Sequence, residues 1–477
     1  MNSPFRLKPD IAGAVAALKA RFGTRARDSE AVRHHHGGDE SHHPGHLPDV
    51  VVEPETTEEV AEIVRIADRY KIPLVPFGAG SGLEGAAIPV HGGISLDTVR
   101  MNRILEIREA DMIARVEAGI RRQTLNAFLR DTGLFFPVDP GADASIGGMV
   151  ATGASGTNAV RFGVMRENVL GLTVVLADGR VIHTGSLARK SSAGYDLTRL
   201  LVGSEGTLGI VTEVTLRLHP IPDTVSAVAG FDTLKGAVDA VVDIKRMGLQ
   251  IGRVELLDAR TIAVIGRHSD LRLPEKPTLY FEFHGNRTEI DAAADTVAEI
   301  VAEHGGGAIG WMTSTDEARA LWETRRLGLG WAGNERPGSA SWPSDVCVPV
   351  SRLAEVIVET EADIAASSVP AYIVGHVGDG NFHCVFKLMP DDPAEVEDVG
   401  RLQARIVERA IAAGGTSTGE HGIGVGKRHY LEAEHGRAAV EVMAILKRAL
   451  DPDNILNPGK VLPDDIAADA GLPIPLS

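Results

Sequence analysis

The chain has 477 residues, with 48 Lys and Arg against 65 Asp and Glu and a formal net charge of −17. That length supports two or three domains, and the acidic balance excludes nucleic acid as the main partner, because phosphate binding runs on surplus Lys and Arg. A hydrophobic fraction of 44% excludes general disorder, the two cysteines cannot make a disulfide framework, and no apolar run is long enough to cross a bilayer.

Residues 9–22 read as an amphipathic helix. Asp10 before its apolar stretch and Lys19 and Arg21 after it make a poor secretory signal. The expected location is cytoplasmic, with docking at the inner membrane or mitochondrial import as alternatives. His34, His35, His36, His42, His43 and His46 follow; the tract reads as a polar loop crossing into the first strand, with metal binding as the alternative. Val50 to Val52 is a strand, and Thr56 with Glu59 makes a capping box that opens a helix to Tyr70. The strand from Pro73 to Pro76 runs straight into Gly78-Ala79-Gly80-Ser81-Gly82-Leu83-Glu84-Gly85. Strands at 94–97 and 113–117 and a helix at 122–131 lead to a second glycine-rich segment over 133–163. A third, Gly203 to Gly209, precedes a strand at 210–218.

His219-Pro220-Ile221-Pro222 breaks the chain, and the texture changes there. Two rounds of strand and long helix follow: 225–231, 233–247, 278–284 and 287–304, then 346–350, 351–366, a hairpin across 371–387 and a helix at 394–413. This predicts an α+β fold whose second domain carries an antiparallel sheet covered on one side. A helix at 437–449 begins a tail too short to fold alone. The expected division is a first domain over 1–222 with its core at about 48–222, a second over 223–440, and a segment 441–477 returning to the first.

Fifty-three glycines are about 11% of the chain, above the usual level of about 7%. Their placement is the main clue. A glycine loop directly after a strand offers backbone N–H groups without Cβ obstruction, which cradling a pyrophosphate requires. The first loop ends in no Gly-Lys-Ser/Thr, so it is not a P-loop. The second adds the hydroxyls of Ser145, Thr152 and Ser155 among small residues that let the chain press against a flat ligand. Three such segments within about 130 residues suggest a long cofactor containing a diphosphate.

The order of these motifs, namely the first loop, Pro137-Val138-Asp139-Pro140-Gly141-Ala142-Asp143-Ala144-Ser145-Ile146-Gly147-Gly148, Asn158-Ala159-Val160-Arg161-Phe162-Gly163 and Gly203-Ser204-Glu205-Gly206-Thr207-Leu208-Gly209, resembles the FAD-binding domain of the vanillyl-alcohol-oxidase/p-cresol-methylhydroxylase superfamily. The resemblance implies a two-subdomain fold with FAD between the halves. Pro76, Gly78, Ala79, Gly80, Ser81, Gly82 and Leu83 would hold the pyrophosphate. Asp139, Pro140, Gly141, Ser145, Ile146, Gly147, Gly148, Ala151, Thr152, Ser155, Gly156 and Thr157 would face pyrophosphate and flavin. Glu205, Gly206, Ile210 and Val211 would meet the adenine and isoalloxazine edges, and Asn457 completes the set. Ser81 stands where covalent members often carry a His, so the expected FAD is non-covalent.

In the second half, His376-Val377-Gly378-Asp379-Gly380-Asn381-Phe382-His383 puts two imidazoles on the flanks of a tight hairpin, where both rings can reach one face. Thr418-Gly419-Glu420-His421-Gly422-Ile423-Gly424 offers a carboxylate on an irregular loop. Two His and one carboxylate leave open positions on a divalent ion, although two His seven apart are also a common structural pair. These motifs with Asn457-Pro458-Gly459-Lys460 resemble the FAD-dependent D-2-hydroxyacid dehydrogenases, in particular the cytochrome-linked D-lactate dehydrogenases, over about residues 38–463.

That resemblance implies Zn or Mn held by His376, His383 and Glu420, His421 as catalytic base, and Arg325 of Leu321-Trp322-Glu323-Thr324-Arg325 on the substrate carboxylate, with Arg326 beside it as the alternative. The 2-hydroxyl proton would pass to His421 while the C2 hydride moves to flavin. D-lactate is the leading substrate, with D-2-hydroxyglutarate or glycolate as alternatives. Arg319, Arg326, Arg336 and Lys427 are candidates for a distal carboxylate. An alkylglycerone-phosphate synthase-like transferase is the alternative of another class. Electrons would leave to cytochrome c, a quinone or an electron-transfer flavoprotein, not to NAD, and a homodimer is the expected assembly. The glycines between Leu327 and Pro343 predict a loose stretch lining the substrate pocket, bordered by Trp311, Trp322, Trp331 and Trp342. Cys347 and Cys384 read as buried structural thiols.

Overall fold

The computed structural model describes residues 9–473 except Arg189 and Gln250. The chain divides into two compact units, one of 1–155, 163–221 and 420–477, the other of 156–162 and 222–419.

In the first unit, Asp10 caps the helix Ile11–Phe22, whose Ala14, Leu18 and Phe22 are buried. They join a core with Val60, Ile63, Val64 and Ala67 of the helix Thr57–Tyr70. Thr56 accepts the Glu59 N–H at 3.2 Å, as the capping pattern predicts. The four-stranded sheet runs 26–27, 50–52, 94–97, 74–77. Val50–Val52 and Leu74–Phe77 both lie parallel to Ile94–Asp97, and their uninterrupted apolar character is what a strand covered on both faces needs. A five-stranded antiparallel sheet runs 104–108, 113–117, 210–217, 169–175, 181–185. The strands at 169–175 and 181–185 were hidden from the sequence reading by the neighbouring glycines. His36 is buried, stacks on Phe77 at 4.4 Å and pairs with Asp97 at 3.0 Å, so this member of the His tract has a structural partner.

The second unit is built on an eight-stranded sheet, with Gly310–Trp311, Thr224–Gly230, Thr278–His284, Ile251–Leu257, Ala371–Gly375, Asn381–Leu388 and Ala340–Pro343 in that order and Val346–Cys347 also on 381–388. Every described pairing in it is antiparallel. All seven residues of Thr278–His284 are buried. Successive side chains alternate between faces, so this sheet is covered on both faces, not one.

The stretch expected to be loose is instead helix over 327–334 and strand over 340–343. Thr315–Asn334 runs unbroken through Gly328, Gly330 and Gly333. A Cβ on Gly328 would lie 3.2 Å from Ile265 Cγ1 of the helix Ala259–His268, so glycine here sets a close helix–helix approach. Gly328→Val should overpack this seam and cost about 1–3 kcal/mol, read as a lower urea midpoint with an unchanged slope. The tryptophans serve packing: Trp322 sits edge-on to Tyr280 at 6.2 Å, Trp331 stacks on His268 at 5.9 Å and Trp311 meets Phe283 at 5.5 Å. Cys384 is buried, and burial pushes its thiol well above the usual range; Cys347 is only half-buried.

Candidate active site

Within the first unit the glycine motifs converge. Leu74–Phe77 delivers the first loop, in which a Cβ on Gly78 would fall 2.3 Å from Ser145 Oγ. A side chain there would have to displace the Ser145 hydroxyl. Ser145 caps the helix Ile146–Thr152 through the Gly148 N–H at 3.3 Å. Gly203 and Glu205 of the third motif donate backbone N–H to Val150 and Ala151 at 2.9 and 2.8 Å, so the second and third motifs form one surface. Asn457 ties it to the first, donating to Ala86 O at 2.9 Å and Glu205 O at 2.7 Å. A Cβ on Gly203 would meet no protein atom within 4 Å, so the backbone of the third motif stays open to a ligand, as a diphosphate-containing cofactor would need. Residues 156–162, with Gly156 and Thr157, belong to the second unit: Arg253 donates to Asn158 at 2.8 Å, and Phe162 lies 5.7 Å from His284.

The Glu205 carboxylate is committed elsewhere. It accepts the Ile423 N–H at 2.6 Å and the Gly424 N–H at 2.9 Å. Burial pushes its carboxyl up to about 7, against the pull of those amides and Lys460. Only its backbone remains to face a cofactor. Glu84 holds the same returning loop from the first motif, through Val425 N–H to its carbonyl at 2.9 Å and Lys427 Nζ to its carboxylate at 3.1 Å. Burial alone would raise the Glu84 carboxyl, but Lys427 and His43 hold it below the usual range. The returning segment therefore starts at Glu420, ahead of the residue 441 expected from sequence, and the loop with Glu420 and His421 is built on two buried carboxylates of the FAD motifs.

Within the second unit, His376 and His383 flank the hairpin with ring centroids 5.5 Å apart, and one nitrogen of each lies within 4.8 Å of the other. His376 Nδ1 meets Glu255 Oε1 at 2.6 Å, and His383 Nδ1 donates to Ser344 O at 3.0 Å. A donating Nδ1–H puts the lone pair of each ring on Nε2, the tautomer a metal-ligating His needs. Asp345, fully buried, accepts from Asn381 and from Thr418 at 2.8 Å each. It thereby fixes the chain one residue short of Gly419, after which Glu420 is the next side chain. The donor set of two imidazoles and a following carboxylate fits a divalent ion.

Arg325 is half-buried on the long helix; its Nε donates to Glu255 Oε2 at 2.9 Å, and its Nη2 is ion-paired with the same oxygen at 2.8 Å. Its Nη1 remains for a ligand. Burial would raise the Glu255 carboxyl, but His376 and Arg325 hold it below the usual range. Arg326 is exposed and paired with Glu323 at 3.1 Å. Arg319 pairs with Asp316 at 2.9 Å, and Arg336 with Glu395 at 2.6 Å. Sequence reasoning missed Glu255, Asp345 and Glu84. Glu255 had a signal, as the lone acid in the apolar strand Ile251–Leu257.

Two family models match the chain: an FAD binding domain over residues 48–185, and the C-terminal domain of FAD linked oxidases over 222–461. The chain is 48% identical to the "Probable D-lactate dehydrogenase, mitochondrial" of Danio rerio, over 91% of this chain and 88% of that protein. It is 41% identical to D-lactate dehydrogenase (cytochrome) 1, mitochondrial, of Saccharomyces cerevisiae, over 89% and 74%. Among solved structures, p-cresol methylhydroxylase with substrate bound aligns with a TM-score of 0.78 at 19% identity, covering 97% of each chain, a likeness of fold alone. No helix among the described residues is long and apolar enough to cross a membrane. The domain matches and these relatives make the chain an FAD-dependent oxidoreductase, and it belongs to the FAD-dependent D-2-hydroxyacid dehydrogenases.

Proposed function

We propose that this protein oxidises D-lactate to pyruvate with non-covalent FAD and one divalent metal, Zn or Mn, held by His376, His383 and Glu420. The observation that carries the metal is the paired engagement of both Nδ1 atoms, to Glu255 and to Ser344 O, which aims two imidazoles as ligands. When bound, FAD supplies the two-electron acceptor, and the ion supplies a Lewis-acid contact for the 2-hydroxyl. The protein's own residues do the rest. Arg325 Nη1, on a guanidinium already fixed by Glu255, orients the substrate carboxylate. His421 accepts the hydroxyl proton, a task suited to an imidazole whose intrinsic pKa is near 6.5.

A small monocarboxylate is favoured because Arg319, Arg326, Arg336 and Lys427 each already face a carboxylate. A substrate with a distal carboxylate would have to break one of these pairs. Electrons then pass to cytochrome c, a quinone or an electron-transfer flavoprotein. The mitochondrial names of the relatives support a mitochondrial location.

The test is an anaerobic visible spectrum of the purified protein before and after D-lactate, with L-lactate as control. D-lactate alone should bleach the flavin band. A flavin band that D-lactate leaves unchanged overturns the substrate.

A further inference from the structure

Glu255 has an exposure of 0%. A buried carboxylate costs several kcal/mol of lost hydration unless it is paired and hydrogen-bonded. It therefore persists here only because each oxygen has a cationic or N–H partner. Oε1 takes His376 Nδ1 at 2.6 Å, and Oε2 takes Arg325 Nε and Nη2 at 2.9 and 2.8 Å. The two partners come from different elements. His376 follows the strand Ala371–Gly375, and Arg325 sits mid-way along the helix Thr315–Asn334. Glu255 lies on Ile251–Leu257, which pairs with 371–375 through Leu256 and Gly375. Its place in the sheet is thus set by backbone pairing, independently of both side chains.

We infer that Glu255 is a positioning residue joining the metal subsite to the substrate-carboxylate subsite, so that one side chain sets the aim of His376 Nε2 and of Arg325 Nη1 together. This rests on the proposed roles of His376 and Arg325. Accepting from Nδ1–H keeps His376 in the tautomer whose Nε2 lone pair faces a metal. The Nε hydrogen bond, with Nη2 ion-paired to the same oxygen, fixes the plane of the guanidinium and so the direction of Nη1. Removing one oxygen acceptor must break one of these contacts, because an amide in the same place offers one acceptor and one donor group, and the donor would face either the Nδ1–H or the guanidinium.

The experiment uses full-length, FAD-loaded protein stripped of metal by chelation. Mn²⁺ alone is titrated in without substrate, and free Mn²⁺ is read by electron paramagnetic resonance; D-lactate kinetics are measured separately on the Mn²⁺-loaded enzyme. Glu255→Gln should weaken Mn²⁺ binding roughly 10–100-fold, the range for an outer partner of a metal ligand, and should also raise KM for D-lactate. A Glu255→Gln protein that keeps its flavin and binds Mn²⁺ as the wild type does overturns the coupling, whatever its KM. If Gln prevents folding, Glu255→Asp serves instead. It keeps the charge but withdraws it by one methylene, and wild-type Mn²⁺ affinity in the folded Asp variant would equally sink the inference. Wild-type protein that binds no Mn²⁺ would overturn the metal reading itself, a distinguishable failure.

Discussion

His376→Ala, and separately Glu420→Ala, should leave FAD bound at wild-type stoichiometry while kcat on D-lactate falls by two orders of magnitude or more. The size follows from losing a contact that stabilises developing charge on the hydroxyl oxygen by several kcal/mol, since each 1.36 kcal/mol is tenfold in rate. For His376 the separation of effects follows from where the residues lie. The glycine cradle is assembled from Gly78, Ser145, Gly203 and Asn457 within the first unit. The His376 side chain is held by Glu255 in the second. Flavin absorbance per mole of protein, metal content and steady-state turnover are measured on each variant. Loss of FAD with metal retained would refute the assignment. A chelator-treated wild type should behave as the variants do and recover on adding the ion.

Lys447→Met should be the most damaging single change to stability. Lys447 is buried on the helix Arg437–Leu450, and its ammonium donates to Thr207 O at 2.9 Å and Leu456 O at 2.8 Å. It also pairs with Asp451, which is fully buried and whose carboxylate accepts the Ile455 and Leu456 N–H groups at 3.0 and 2.8 Å. Removing the cation strands a carboxylate in the interior, which costs about 3–5 kcal/mol, or a fall in Tm of roughly 6–20 °C for a unit of this size. Thr207 belongs to the third glycine motif, so FAD affinity should weaken alongside. Thermal melts with and without added FAD give both numbers. A variant melting within a degree of the wild type would show that this pair does not hold the tail.

Local signals carried much of the reading. The Thr56 cap, the long helices beyond residue 222 and the hairpin between His376 and His383 all follow from short-range spacing, and the structure has them. Glycine misled where its reason was tertiary. In Thr315–Asn334 it looked like loop punctuation, because only the neighbouring helix at Ile265 explains Gly328. The strand Ile251–Leu257 was missed for a related reason. It is buried on both faces, so it has no alternation to read. Arg325 could be named from its motif, but Glu255, which aims it, lies 70 residues away in sequence. Partners fixed by sheet pairing leave no spacing rule. Glu205 was legible as part of a cofactor motif, yet its carboxylate serves residues 423 and 424.

The strand that leads into the first glycine loop is finished late in the life of the chain. Leu74 donates its N–H to Ile455 O at 2.8 Å and accepts from Asn457 N–H at 2.8 Å, making a parallel bridge with Leu456. During synthesis that strand edge stays open until residues 455–457 have left the ribosome, long after Leu74 itself, offering unpaired amides to any other extended segment. Cofactor capture then waits on that later segment. A ribosome stalled, or a message shortened, before residue 457 would release an apoprotein with a sticky edge, prone to aggregation and to proteolytic clearance before any flavin could stabilise it.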